Sequence, residues 1–137
     1  MDNVIGTAPL TDGPGLETFT SRYQAEFETQ PGPFNPQTFD AAAVLLLATA
    51  AAEEETGPAI SDAMPTVAND GSMSVTPDNL ADGVDAAGNS EDIVYEGASS
   101  TISFDETGDL QTGAYEVWEY APDSESGVDR VDEFVLE

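Results

Sequence analysis

The run from Ile93 to Tyr120, IVYEGASSTISFDETGDLQTGAYEVWEY, sets the tightest limits on the fold. Within it Thr101-Ile102-Ser103-Phe104 alternates polar and apolar, the period-two signal of a half-buried strand. Asp105-Glu106-Thr107-Gly108-Asp109 then supplies turn chemistry. An aspartate side chain bonds the backbone two residues on, and Gly108 takes a positive φ without steric cost. Gly113 leads into a second β-rich run, Tyr115 to Tyr120. The pattern predicts a hairpin in which Thr101–Phe104 pairs with Tyr115–Tyr120.

The chain before it reads as one short strand followed by helices. Val4-Ile5 reads as the end of a buried strand stopping at Gly6. Leu16, Phe19, Tyr23 and Phe27 recur at spacings of three and four, one apolar face of a helix. The plain role of that aromatic stripe is core. Gln30-Pro31-Gly32-Pro33 ends the helix, and Asn35-Pro36 starts another, with Asn as cap and Pro in the first turn. This second helix runs to about Glu53 and is apolar nearly all round, so burial on more than one side is expected.

Gly57 to Met64 reads as a short helix stopped before Pro65. Residues 66–92 are rich in Asn, Asp, Gly and Ser and read as a mobile linker, with a short helix opening at Pro77-Asp78. Ala121 to Gly127 reads as an acidic loop, and Arg130 to Leu136 has β character. At 137 residues the whole chain, 1–137, reads as one domain.

Charge narrows the function. Against 28 acidic residues stand only Arg22 and Arg130, giving a net charge of −26 with no Lys, His or Cys. Such composition commonly means disorder, but 39% of the residues are hydrophobic and they cluster, so a folded domain with an acidic surface is expected. Self-repulsion at this charge asks for screening, which points to a halophile. The surface repels phosphate backbones, so nucleic acid is not an expected partner, and it has no basic patch for anionic lipid. The missing Cys and His remove thiol nucleophiles, Cys-based metal sites and any Ser-His triad. No basic or long apolar leader opens the sequence. The longest apolar run, Ala41 to Ala52, falls short of the ~20 residues that a membrane helix needs.

Few residues carry candidate chemistry. Asp105, Thr107, Asp109 and Glu116 fall at the first, third, fifth and twelfth places of a calcium loop. Leu110 occupies the place where that loop requires Gly, and the flanks read as strands, so a hairpin turn is the simpler reading. Asp105 and Glu106 form an adjacent carboxylate pair whose members point apart in a turn. Ser99-Ser100-Thr101 offers hydroxyls without an evident base. Tyr95, Trp118 and Tyr120 either line a ligand surface or pack in a sheet core, with core the plainer role. Arg22 is expected to face water, and Arg130 to pair with Asp129 or Asp132. No catalytic residue, metal ligand or cofactor is assigned.

Three ordered pieces carry a resemblance. They are Tyr95-Glu96-Gly97-Ala98-Ser99, then Ile102-Ser103-Phe104-Asp105-Glu106-Thr107-Gly108-Asp109, then Gly113-Ala114-Tyr115-Glu116-Val117-Trp118. Upstream, Phe39-Asp40-Ala41 opens the Ala- and Leu-rich helix. The series resembles the C-terminal part of the solute-binding proteins of branched-chain amino-acid ABC transporters, with Ser100 in place of a family Gly. The resemblance implies the α/β fold class, as a partial type 1 periplasmic-binding-protein fold, βα units followed by a C-terminal β-hairpin. It also implies a solute-binding role outside the membrane for amino acids or amides, with a transporter permease as partner. The chain would be the C-terminal third of a longer family member, lacking the leading repeats and the signal and lipid-attachment region. Most ligand contacts of the family belong to the other two thirds, so the ligand residues stay unknown. A binding module, not an enzyme, is the expectation. The alternative from composition alone is a stand-alone acidic domain that binds a protein partner or calcium.

Overall fold

The computed structural model describes residues 4–124 and 127–136. In chain order the elements are β1 (Ile5–Pro9), α1 (Leu16–Phe27), α2 (Asn35–Ala51), α3 (Gly57–Ala68), β2 (Met73–Val75), α4 (Leu80–Gly88), β3 (Ile93–Tyr95), β4 (Gly113–Tyr120) and β5 (Val128–Leu136). The strands form a parallel β2-β3 pair and an antiparallel sheet in the order β1-β4-β5.

The core gathers around α2. Ala43, Val44, Leu47 and Ala48 bury the face that meets Val67 and Ala68 of α3, Ala86 and Ala87 of α4, Val75 of β2, and Ile93 and Tyr95 of β3. α2 is buried on this one face only. Leu45 and Leu46 stay 50% and 55% exposed, so the all-round apolar pattern does not mean burial on several sides. α1 follows the sequence spacing, but only Phe19 of its stripe is core, its ring against Phe39 of α2; Leu16 and Tyr23 are half-buried and Phe27 is 60% exposed.

α3 runs past Pro65 instead of stopping before it. Thr56 caps its start by accepting from the Ala59 N–H at 3.4 Å. Pro65 cannot donate to the Ser61 carbonyl, but Ser61 is exposed, so water can serve that group. The Asn69 N–H then donates to the Pro65 carbonyl at 2.9 Å and carries the helix on.

Residues 66–92, read as a linker, hold the end of α3, then β2 and α4, and with β3 complete a βαβ unit. Met73, Ser74 and Val75 pair in parallel with Ile93, Val94 and Tyr95, and α4 joins the two strands. Val67, Ala68, Val75, Ala86 and Ala87, all within 66–92, belong to the core. Two of its glycines are sites of close approach. A Cβ at Gly71 would lie 2.6 Å from the Val94 nitrogen, and one at Gly83 would lie 2.8 Å from Val75 Cγ2.

The C-terminal hairpin exists, but its strands are β4 and β5. Thr101–Phe104 forms no strand of it and makes only isolated bridges, Glu96 to Thr101 and Phe104 to Leu110. The Asn69 side chain holds this segment: its Nδ2 donates to the Phe104 carbonyl at 2.7 Å and its Oδ1 accepts the Phe104 N–H at 2.8 Å. β4 is thereby left to pair with β5 on one side and β1 on the other. Tyr115 stacks on Phe134 across the hairpin with ring centroids 5.5 Å apart. Trp118 faces Gly6, where any Cβ would strike the indole. β1 also differs from expectation, since Ile5 is 64% exposed and the strand runs on to Pro9.

Candidate functional site

Three loops meet at the carboxyl ends of the parallel strands β2 and β3, the position where open α/β sheets place their ligand crevices. They are the segment 10–15 before α1, the turn 76–79 after β2, and the segment 96–100 after β3. The Asp12 N–H donates to the Ser99 carbonyl at 3.0 Å, and the Gly15 N–H to the Gly97 carbonyl at 2.9 Å. Gly13 and Gly15 are both buried against this loop. A Cβ on Gly13 would lie 2.7 Å from the Ala98 carbonyl oxygen, and one on Gly15 would lie 2.6 Å from Pro77 Cδ. In the turn 76–79, the Asn79 Oδ1 accepts the Thr76 N–H at 2.7 Å and fixes the turn. Arg22 of α1 ties to the same turn, with its Nη2 2.7 Å from Asp78 Oδ1.

Asp40 lies beneath the junction. It is 1% exposed and takes four hydrogen bonds from one strand and one loop. Its Oδ1 accepts the Tyr95 hydroxyl at 2.7 Å and the Ala98 N–H at 2.8 Å. Its Oδ2 accepts the Ser99 N–H and the Ser99 hydroxyl, each at 2.6 Å. Burial, and then the neighbouring Asp40 carboxylate, push the Tyr95 phenol well above its ordinary value, so the phenol remains a donor. Gly97 lets the loop close over the carboxylate, because a Cβ there would lie 2.8 Å from Asp40 Oδ2 and 2.7 Å from the Ser100 carbonyl. This junction joins two pieces of the sequence resemblance, Phe39-Asp40-Ala41 and Tyr95 to Ser99.

A cavity of about 320 Å³ opens beside the junction, with Gln37, Val44, Met64, Ser100 and Ile102 in its wall. Gln37 Nε2 donates to the Thr11 hydroxyl at 3.1 Å, while its buried Oε1 has no hydrogen-bond partner among the described residues. A carboxylate does lie beside the hydroxyl run 99–101, contrary to the sequence reading. It is Asp40, and Ser99 is only 7% exposed, so this contact ties the loop in place. The spacing in sequence, 59 residues between Ser99 and Asp40, left no local signal for it.

The other candidates lie apart. Asp105 closes its own turn: its Oδ1 accepts from the Thr107 N–H at 2.8 Å, the Thr107 hydroxyl at 2.7 Å and the Asp109 N–H at 3.0 Å. Gly108 has φ +87°, as a turn glycine should. The Thr107 hydroxyl first, then the Asp109 and Thr107 amides, hold the Asp105 carboxyl below the usual aspartate range. Glu116 is away from this turn, in β4 opposite Ala8 and Glu133. Among the described residues no three acidic side chains gather for a metal. Glu106 forms no paired site with Asp105, whose oxygen is committed to Thr107 and Asp109. Tyr95 is core, Trp118 covers Gly6, and Tyr120 is 40% exposed, so the three do not share one surface. Arg130 pairs with Glu133 at 3.5 Å, not with Asp129 or Asp132. No helix among the described residues is long and apolar enough to cross a membrane.

No protein-family model matches the chain, and no curated protein sequence matches it. Among solved structures it is similar to the leucine binding protein LivK of Thermotoga maritima, with a TM-score of 0.61 and 19% identity. The match covers 96% of this chain and 31% of that one. The chain therefore spans less than a third of the length of the structure it matches, and at this identity the likeness is one of fold. Its architecture is a partial periplasmic-binding-protein-like α/β fold.

Proposed function

We propose that this chain is the C-terminal part of the substrate-binding component of an ABC transporter for branched-chain amino acids or amides. In this reading it acts outside the membrane, delivers its solute to a permease, and catalyses nothing. The observation that carries the reading is the fold likeness to a leucine binding protein over 96% of the chain. The Asp40 junction supports it, because it gives the two distant pieces of the resemblance one shared structural purpose.

A solute enclosed between two bodies gains from desolvation of its polar contacts. A chain that spans 31% of such a protein offers only part of the enclosure. A half-site still bears the loss of translational freedom on binding, so the isolated chain should bind leucine, isoleucine, valine or short amides weakly or not at all. The test uses the native polypeptide that carries this sequence, recovered from cells with an antibody against the chain and titrated calorimetrically with the same solutes in high salt. Micromolar binding of one solute by that polypeptide, and none by the isolated chain, is the expected result. No binding of any of them by the native polypeptide would overturn the proposal.

A further inference from the structure

A second concavity lies between α1 and α2. Its volume is about 460 Å³, within the range of small-molecule sites, and its wall includes Phe19, Tyr23, Phe27, Phe39, Arg22 and Glu26. Phe19, Tyr23 and Phe27 come from successive turns of α1 and form a continuous series with Phe39. Ring centroids are 5.2 Å apart for Phe39–Phe19, 5.7 Å for Phe19–Tyr23 and 4.6 Å for Tyr23–Phe27. The rings are tilted by 44–50° and are not stacked, so they leave part of their π-faces uncovered. The series runs from the core at Phe19, 6% exposed, to the rim at Phe27, 60% exposed.

The charges around it select the guest. Arg22 is already engaged: its Nη2 donates to Asp78 Oδ1 at 2.7 Å and to the Asp78 carbonyl at 3.1 Å. The other side-chain cation of the chain, Arg130, sits in β5 and pairs with Glu133. Arg22 and Asp78 offset one another, and Glu26 has no cation partner among the described residues. An anion, or the carboxylate of a zwitterion, would find no free cation here. An organic cation would find aromatic faces, an uncompensated carboxylate and the field of a chain with net charge −26.

We propose that this groove binds an organic cation of the quaternary-ammonium class. The charged N-methyl groups rest against Tyr23 and Phe27, and the remainder of the guest fills the space toward Phe19 and Phe39. The site is separate from the Asp40 junction and stands or falls independently of the transport reading.

The test is titration of the isolated chain with choline and with 3,3-dimethylbutan-1-ol, its neutral isostere, at constant high ionic strength. Binding is read from the aromatic NMR resonances. Choline should saturate one site and bind about tenfold tighter than the alcohol. Phe27→Leu keeps an apolar wall at an exposed position, so the core is untouched; it should weaken choline about fivefold and leave the alcohol nearly unchanged. Tyr23→Leu should act in the same direction. Equal affinity for the two probes would overturn the proposal, because the groove would then be selecting apolar shape alone. So would choline binding that survives both substitutions, since the cation would then sit elsewhere on the acidic surface. Absence of saturation would overturn it as well.

Discussion

At the scale of single residues, Asp40 is the most constrained side chain. A buried carboxylate without a cation is tolerable only when hydrogen bonds replace its hydration, and here four donors do so. The distribution of those donors makes a sharp prediction for Asp40→Asn. Each oxygen receives one backbone N–H, from Ala98 on Oδ1 and from Ser99 on Oδ2. Hydroxyls can rotate to accept from an amide, but a backbone N–H cannot, so the new NH₂ must oppose one of the two whichever way it turns. Asp40→Asn should cost about 2–3 kcal/mol, and Tyr95→Phe, which removes one donor, about 1 kcal/mol. Urea denaturation in high salt measures both, and a tolerated Asn would show that the network does not hold the loop. Asp105 makes a second prediction, read in pH. Its folded value is lowered, so its turn contacts contribute fully above the ordinary aspartate value and are lost as pH falls through the lowered one. Carboxyl NMR should find Asp105 titrating below the ordinary aspartate value, with Thr107→Val returning it toward that value. Titration at the ordinary value in the parent chain would contradict the turn geometry.

Elements set by local periodicity were legible in the sequence, and elements set by distant partners were not. α1 and α2 start and stop within a few residues of their apolar pattern, because a helix closes its hydrogen bonds locally, but the expected cap Asn35 lies inside α2 and Phe34 takes the cap position without a side-chain bond. The Asp105 turn was legible for the same reason. The partner of β4 was not, since it depends on Tyr115 meeting Phe134, Trp118 meeting Gly6, and Asn69 holding Phe104 elsewhere. The Asp40 junction was visible only as two unconnected pieces of a resemblance. Residues 66–92 misled for a specific reason: glycine there marks close packing, not freedom. Gly71 makes room for the β3 backbone, and Gly83 for the Val75 side chain. Amide hydrogen exchange separates the two meanings. β2 and α4 should exchange as slowly as the buried face of α2, because they share its core. Uniformly fast exchange across 66–92 would restore the mobile-linker reading.

For the whole molecule, charge density decides the conditions under which the fold exists. Averaged over 8681 Å² of surface, the acidic residues other than the buried Asp40 lie on the order of 18 Å apart. Each such pair repels by only about 0.2 kcal/mol in unscreened water. Summed over the neighbours of every charge, the repulsion is comparable to the ~5–15 kcal/mol that holds a typical domain together. The Debye length falls from about 30 Å at 0.01 M to about 8 Å at 0.15 M, so it crosses the charge spacing at modest salt. Screening alone therefore predicts that most of the gain in stability comes below about 0.2 M. Circular dichroism across a KCl series, from dilute buffer to molar salt, should show a cooperative fold that strengthens steeply at first and then flattens. Sucrose, which favours burial without screening charge, should not substitute for KCl in dilute buffer. A fold equally stable in dilute buffer would sink the expectation of a salt-requiring protein. A stability that keeps rising into molar KCl would shift the cause from screening to the thinly covered apolar surface, where Leu45, Leu46, Val135 and Leu136 are each at least half exposed.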